Sequence, residues 1–231
     1  MTLLLSAYRR FLKKLPVFDG IPALLIRLYL APIFIMAGFS KTQLLSEEVS
    51  GLAAFMADPN IIAWFGNSDW GLGLPFPALL ANVVILVEFF GGWLLLVGAL
   101  TRLVSIPLMF TMIVAATTVH ADNGWFAITP TNPEISAANV LDWLGVDQAQ
   151  ASLDNSADTG NKVTKMREIL DEHGNTDWLF ENGNIVVLNN GIEFSATYFI
   201  MLLALFFIGA GRYTSIDYYM QNRFFPKPRT F

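Results

Sequence analysis

Residues Ala78–Val119 read ALLANVVILVEFFGGWLLLVGAL, then Thr101-Arg102, then LVSIPLMFTMIVAATTV. Each apolar run is near or above the roughly 18 residues that argue for crossing a bilayer. Two residues between them leave room only for a tight turn, so the runs form an antiparallel helical hairpin. Pro107 sits inside the second run, where neighbouring helices can re-satisfy the carbonyl it frees, and a kink is expected there.

The same pattern recurs on either side. A first span is expected from about Ile21 to Phe39, entered through Pro22 in its first turn. A fourth is expected from about Phe194 to Gly211. The spans at 21–39, 78–100, 103–119 and 194–211 define an all-α membrane protein, a four-helix transmembrane bundle forming one domain over 1–231. Composition agrees. The chain is 54% hydrophobic and only 14% charged, against about a quarter charged in soluble domains. It holds no cysteine, so disulfides, iron–sulfur clusters and thiolate metal sites are ruled out.

Charge sets the expected direction. Arg9, Arg10, Lys13, Lys14, Arg102, Arg212, Arg223, Lys227 and Arg229 fall on one side of the spans, whereas the short loop opposite holds only Lys41. By the positive-inside rule both termini are cytoplasmic. Leu3-Leu4-Leu5 precedes the basic cluster and no small-residue cleavage site follows, so a cleaved signal peptide is not expected. A helix there sets Leu4, Tyr8, Phe11, Leu12 and Leu15 opposite the charges, suited to an anionic inner leaflet.

Residues 40–77 then lie outside, with a short helix from Ser46 to about Asp58-Pro59. Trp64, Phe65 and Trp70 pack at the outer interface. Residues 120–192 form a long extracytoplasmic insert with eleven acidic and three basic side chains. A short helix is expected from Asn161 to Glu172, closed by Gly174. A β-hairpin is expected at Trp178–Leu188 around the Asn182-Gly183 turn. Ala149–Thr159, small and polar, reads as flexible.

Ionisable residues inside spans are costly in hydrocarbon and mark candidate sites. Four stand out: Arg27, Glu88, His120 and Glu193. Arg27 and Glu88 lie about 9 and about 18 Å from the inner ends of their helices, and long side chains could bridge that gap as an inner pair. His120 and Glu193 form an outer pair at helix ends. Each also has an ordinary reading. Arg27 and Glu88 would serve as a structural tie, His120 would end its helix at the interface, and Glu193 would favour the amides of a helix start. Gly91 and Gly92 permit close helix packing. With His173 in the insert, two histidines cannot meet at one depth, so intramembrane bis-histidine haem is excluded. Met36, Met109, Met112 and Met201 could in principle pass soft copper, but methionine is also common core filler.

Several stretches resemble the DoxX family. They are Arg27-Leu-Tyr-Leu-Ala-Pro-Ile-Phe-Ile-Met-Ala-Gly38 with Lys41, Glu88-Phe-Phe-Gly-Gly-Trp-Leu-Leu-Leu-Val-Gly98 with Arg102, and His120 with Asn123-Gly124-Trp125. Trp70–Pro77, the insert, and Asn190–Phe207 with Gly211-Arg212-Tyr213 resemble the HvfX-type branch. The family resemblance implies a four-helix inner-membrane bundle linked to quinone-related or thiol-related redox complexes. The branch resemblance implies an accessory role beside small copper-binding modified peptides. It implies no catalytic residue, and accessory work without independent catalysis fits better than an enzyme. No resident metal or firm cofactor follows, quinone being the one candidate. The expected partners are lipid, a small modified peptide or redox subunits, with a homo-oligomer left open and no nucleic acid. A small transporter using the same polar residues is a third reading.

Overall fold

The first long helix, α1 (Gly20–Phe39), buries Gly20, Ala23, Arg27, Leu30, Ala31, Phe34 and Gly38. That spacing of three and four is one helical stripe, so the rest of the helix is left for lipid. The structure is a computed structural model and describes residues 5–6, 8–9, 11–12, 15–18 and 20–224. It divides into two compact units, Met1–Thr118 with Ser195–Phe231, and Val119–Phe194. Of the expected amphipathic N-terminal helix, Leu4, Arg10, Lys13, Lys14 and the side chain of Leu15 lie outside the described residues. Lys227 and Arg229 do as well. Tyr8, Phe11 and Leu12 are exposed.

In the first unit, a short helix α2 (Pro59–Gly66) precedes α3 (Pro77–Val97) and α4 (Thr101–Asn123). Three helices, α1, α3 and α4, are long and apolar enough to cross a membrane. The chain is a membrane protein with at least these three candidate spans. The expected fourth span is the apolar helix α8 (Glu193–Ile208), only 16 residues long because Gly209, at φ +82°, ends it. Leu202 and Leu205 of α8 nevertheless share one core with Ala23, Leu30, Phe34, Leu95 and Leu108.

Two sequence boundaries move. Thr101-Arg102 is not the turn between α3 and α4. Gly98 closes α3 in the left-handed region, with Gly98 N–H bonding Leu95 O and Ala99 N–H bonding Leu94 O. Both Asp217 oxygens then accept the Leu100 and Thr101 amides, at 2.6 and 2.9 Å, so α4 starts at Thr101. Asp58-Pro59, expected to end a helix, starts one instead. The Asp58 carboxylate caps the Asn60 amide and Pro59 needs no hydrogen-bond acceptor at its first-turn position. The stretch before it keeps only a 3₁₀ turn, Gly51–Phe55.

Helices packed in lipid gain little from hydrophobic burial and rely on close backbone contact at small residues. A Cβ on Gly38 would lie 2.5 Å from the Phe89 backbone nitrogen. On Gly92 it would lie 2.8 Å from the Ile35 nitrogen, and on Gly91 it would meet only the ends of Val104 and Leu108, at 3.2 to 3.6 Å. Gly38→Ala is therefore expected to cost about 1–3 kcal/mol, as overpacking against backbone does. Gly91→Ala should cost clearly less, because side-chain ends can give way. Unfolding of the two purified variants in detergent checks the order.

The second unit holds α5 (Ala138–Trp143), α6 (Asp147–His173) and α7 (Thr176–Leu179). The expected short helix is 27 residues long and takes in Ala149–Thr159, which is ordered helix and not a flexible stretch. The small residues there serve packing. Ala149, Leu153, Ser156, Thr159 and Val163 line one buried face, and a Cβ on Gly160 would sit 2.2 Å from Thr131 O. Gly174 follows the helix in an extended conformation, without the left-handed cap.

The β-hairpin is also absent. Asn175 caps the Trp178 amide, so Thr176–Leu179 is helical where a strand was expected. The later residues pair elsewhere. Thr129 N–H bonds Val187 O, and Ile128 bridges Leu188. The described residues contain isolated bridges and no strand.

Candidate functional site

Glu88 sits in a π-helical turn, Leu86–Phe90, inside α3. The wider turn adds a residue to the helix and redirects its neighbours, an arrangement often found at functional positions. Here it brings Glu88 inward, with only 8% of its side chain exposed. Lys41, two residues past the end of α1, reaches back to it. The Lys41 Nζ donates to Glu88 Oε2 at 2.6 Å and to Ala37 O at 2.9 Å.

The loop around Lys41 is fixed by its backbone. Lys41 N–H bonds Gly38 O, Asp58 N–H bonds Lys41 O, and Thr42 bridges Ala57. Asn82 Oδ1, one helix over, accepts the Ala57 amide at 2.9 Å. Phe55 lies 6.3 Å from Phe89 and 6.5 Å from Phe90, ring centre to ring centre. The pair is thus a carboxylate and an ammonium held between two spans. Chemically it can donate to and accept from a polar group entering an apolar setting.

Arg27 is elsewhere. It is fully buried, and its guanidinium donates to Leu95 O, Leu96 O and Thr214 O, at 3.3, 3.2 and 2.8 Å. Its Nε has no partner. A Cβ on Gly98 would lie 2.2 Å from Arg27 Nη1, so glycine is needed for space as well as for its φ of +66°. Asp217 adds electrostatic attraction. Arg27 ties α1 to the end of α3 and to the segment after α8, while Glu88 has Lys41, so the expected inner pair is not formed.

The outer pair is also separate. His120 ends a π-helical turn in α4, and its Nδ1 lies 2.7 Å from Asn190 O. Asn123 donates to the same carbonyl at 3.3 Å. Glu193 stands in the first turn of α8, and its Oε2 accepts the Ala127 amide at 2.9 Å. Both side chains fasten the second unit's own loops, as a carboxylate at a helix start commonly does. Gly91 and Gly92 sit at helix contacts. Met112 is buried, Met109 and Met201 pack against the core, and Met36 is exposed. Among the described residues no three histidine or acidic side chains gather as a metal site.

Sequence reasoning missed the Lys41–Glu88 bond, although Lys41 is the one basic residue of its loop and stands just beyond α1. It also missed Asp217, whose role depends on a distant helix, α9 (Ile216–Phe224).

The helical hairpin, the buried charges and the glycine contacts at Gly38, Gly91 and Gly92 all fall in one stretch, and a family model matches it. The DoxX family model matches residues 23–121. The DoxX match takes in Arg27, Lys41, Glu88, Gly91, Gly92 and His120, and stops before Asn123, Glu193 and nearly all of the second unit. Comparisons with curated proteins and with solved structures give no match.

Proposed function

We propose that this protein is a multi-pass accessory protein of the bacterial inner membrane, with cytoplasmic termini, that assists the maturation, handling or export of a small copper-binding modified peptide. The observation that carries this reading is the second unit. It forms a compact unit of its own, lies almost wholly outside the DoxX match, and is strongly acidic. Such a surface raises the local concentration of cations and cationic peptides. The loop resemblance to the HvfX-type branch points the same way.

In this reading α8 completes a four-helix bundle, since its leucines share the core. Its length is about 24 Å by helical rise, and a bilayer adapts to a short span by local thinning. Deleting the gene while sparing its neighbours is expected to change copper tolerance or the location of the peptide. If both stay at wild-type levels, the reading fails.

A second reading has its own support in the Lys41–Glu88 pair, whose ammonium and buried carboxylate could hold a quinone head group. Purified protein should then retain quinone, and Glu88→Gln should weaken retention by about tenfold, the effect of roughly 1.4 kcal/mol. Recovery of phospholipid alone would remove it.

A further inference from the structure

At the opposite end of α1 from Lys41, an open cleft of about 1020 Å³ runs between the start of α4, the end of α8 and helix α9. Its walls are of two kinds. Leu103 and Ile208 are exposed apolar residues of α4 and α8, while Arg102, Arg212, Gln221 and Asn222 supply polar groups.

The Arg102 side chain is positioned. Arg102 Nη2 donates to Phe207 O at 3.2 Å, and Gly209 leaves the space its guanidinium occupies. One bond from Arg102 uses one of five donors, and the remainder are available within a residue that lines the cleft. Arg212 is anchored through its backbone, which packs on Gly20 so closely that a Cβ there would reach within 2.3 Å of Arg212 O. Among the described residues of the lining the carboxylate is Asp217, and it is engaged through both oxygens by the Leu100 and Thr101 amides.

We propose that this cleft binds a lipid with an anionic phosphate head group. Arg102 and Arg212 bind the phosphate, Gln221 and Asn222 flank it, and the acyl chains lie along Leu103 and Ile208. Guanidinium suits a phosphate through paired donors in a fixed fork. Apolar walls open to the bilayer distinguish the site from one for soluble phosphate, and the proposal rests on α4 being membrane-embedded.

Native mass spectrometry of the detergent-purified protein tests it, titrated with phosphatidylglycerol or phosphatidylcholine at equal chain length. Binding of phosphatidylglycerol should be stronger, and Arg102→Gln with Arg212→Gln should weaken it by about tenfold, as loss of charge-assisted bonds would. The Arg102→Lys, Arg212→Lys variant should keep a substantial part of it. If the glutamine variant does not fold, Asn222→Asp, on the exposed surface, should also weaken binding by placing a carboxylate against the phosphate. Equal binding of the two lipids, or variants that bind as wild type does, would overturn the proposal. Inorganic phosphate that displaces the lipid at low occupancy would assign the site to a soluble anion and overturn the lipid assignment.

Discussion

Arg27→Leu is expected to lower the stability of the membrane unit by about 3–5 kcal/mol, the range for removing one member of a buried charged network. The side chain is fully enclosed and holds three carbonyls from two distant segments. Leucine fills much of the volume but leaves those acceptors unmatched, each at about 1–3 kcal/mol where water does not reach. Arg27→Lys should recover only part, because a single ammonium cannot span the fork that reaches Leu95, Leu96 and Thr214. Gly98→Ala should reproduce the defect without touching the charge, since its Cβ would occupy the guanidinium site. Unfolding in mixed micelles, compared across the three variants, checks this. Equal stability of Arg27→Leu and wild type would show that the network contributes nothing.

The second large effect belongs to Lys41→Met. It leaves the Glu88 carboxylate, almost wholly enclosed, without its ammonium. Removing one partner of a buried ion pair costs about 3–5 kcal/mol, more than the pair itself contributes. Glu88→Gln should be milder than Lys41→Met. Lys41 is one-fifth exposed, and keeps its bond to Ala37 O. The asymmetry follows from burial, and the same unfolding measurement reads it. Lys41→Met with Glu88→Gln should recover stability relative to Lys41→Met alone, because the stranded charge is gone.

Hydropathy alone was enough to place α1, α3 and α4, because a run of apolar residues in these lengths has few other uses. The close packing at Gly91 and Gly92 was legible from residue size alone. Partners were not. Depth along a helix put Arg27 and Glu88 within reach of each other, but depth carries no information on which way a side chain faces. The π turn at Leu86–Phe90 changes the facing of Glu88, and nothing in Leu-Val-Glu-Phe-Phe announces such a turn.

The second unit shows the opposite difficulty. Asn182-Gly183 is a strong local hairpin signal, yet the residues after it bond to Ile128 and Thr129, more than fifty positions earlier. Small polar residues at 149–159 suggested mobility, yet Ala149, Ser156 and Thr159 lie on the buried face of a helix, and Gly160 just beyond them meets Thr131. Local preference is overridden where a distant segment supplies the hydrogen bonds.

Glu88 is bound by Lys41 and not by Arg27. Two double-mutant cycles measured by reversible unfolding in mixed micelles decide it. One combines Lys41→Met with Glu88→Gln, the other Arg27→Leu with Glu88→Gln. Lys41 and Glu88 should couple by about 1–3 kcal/mol, and Arg27 and Glu88 should be additive within about 0.5 kcal/mol. Strong coupling of Arg27 to Glu88, with Lys41 additive, would contradict this pairing.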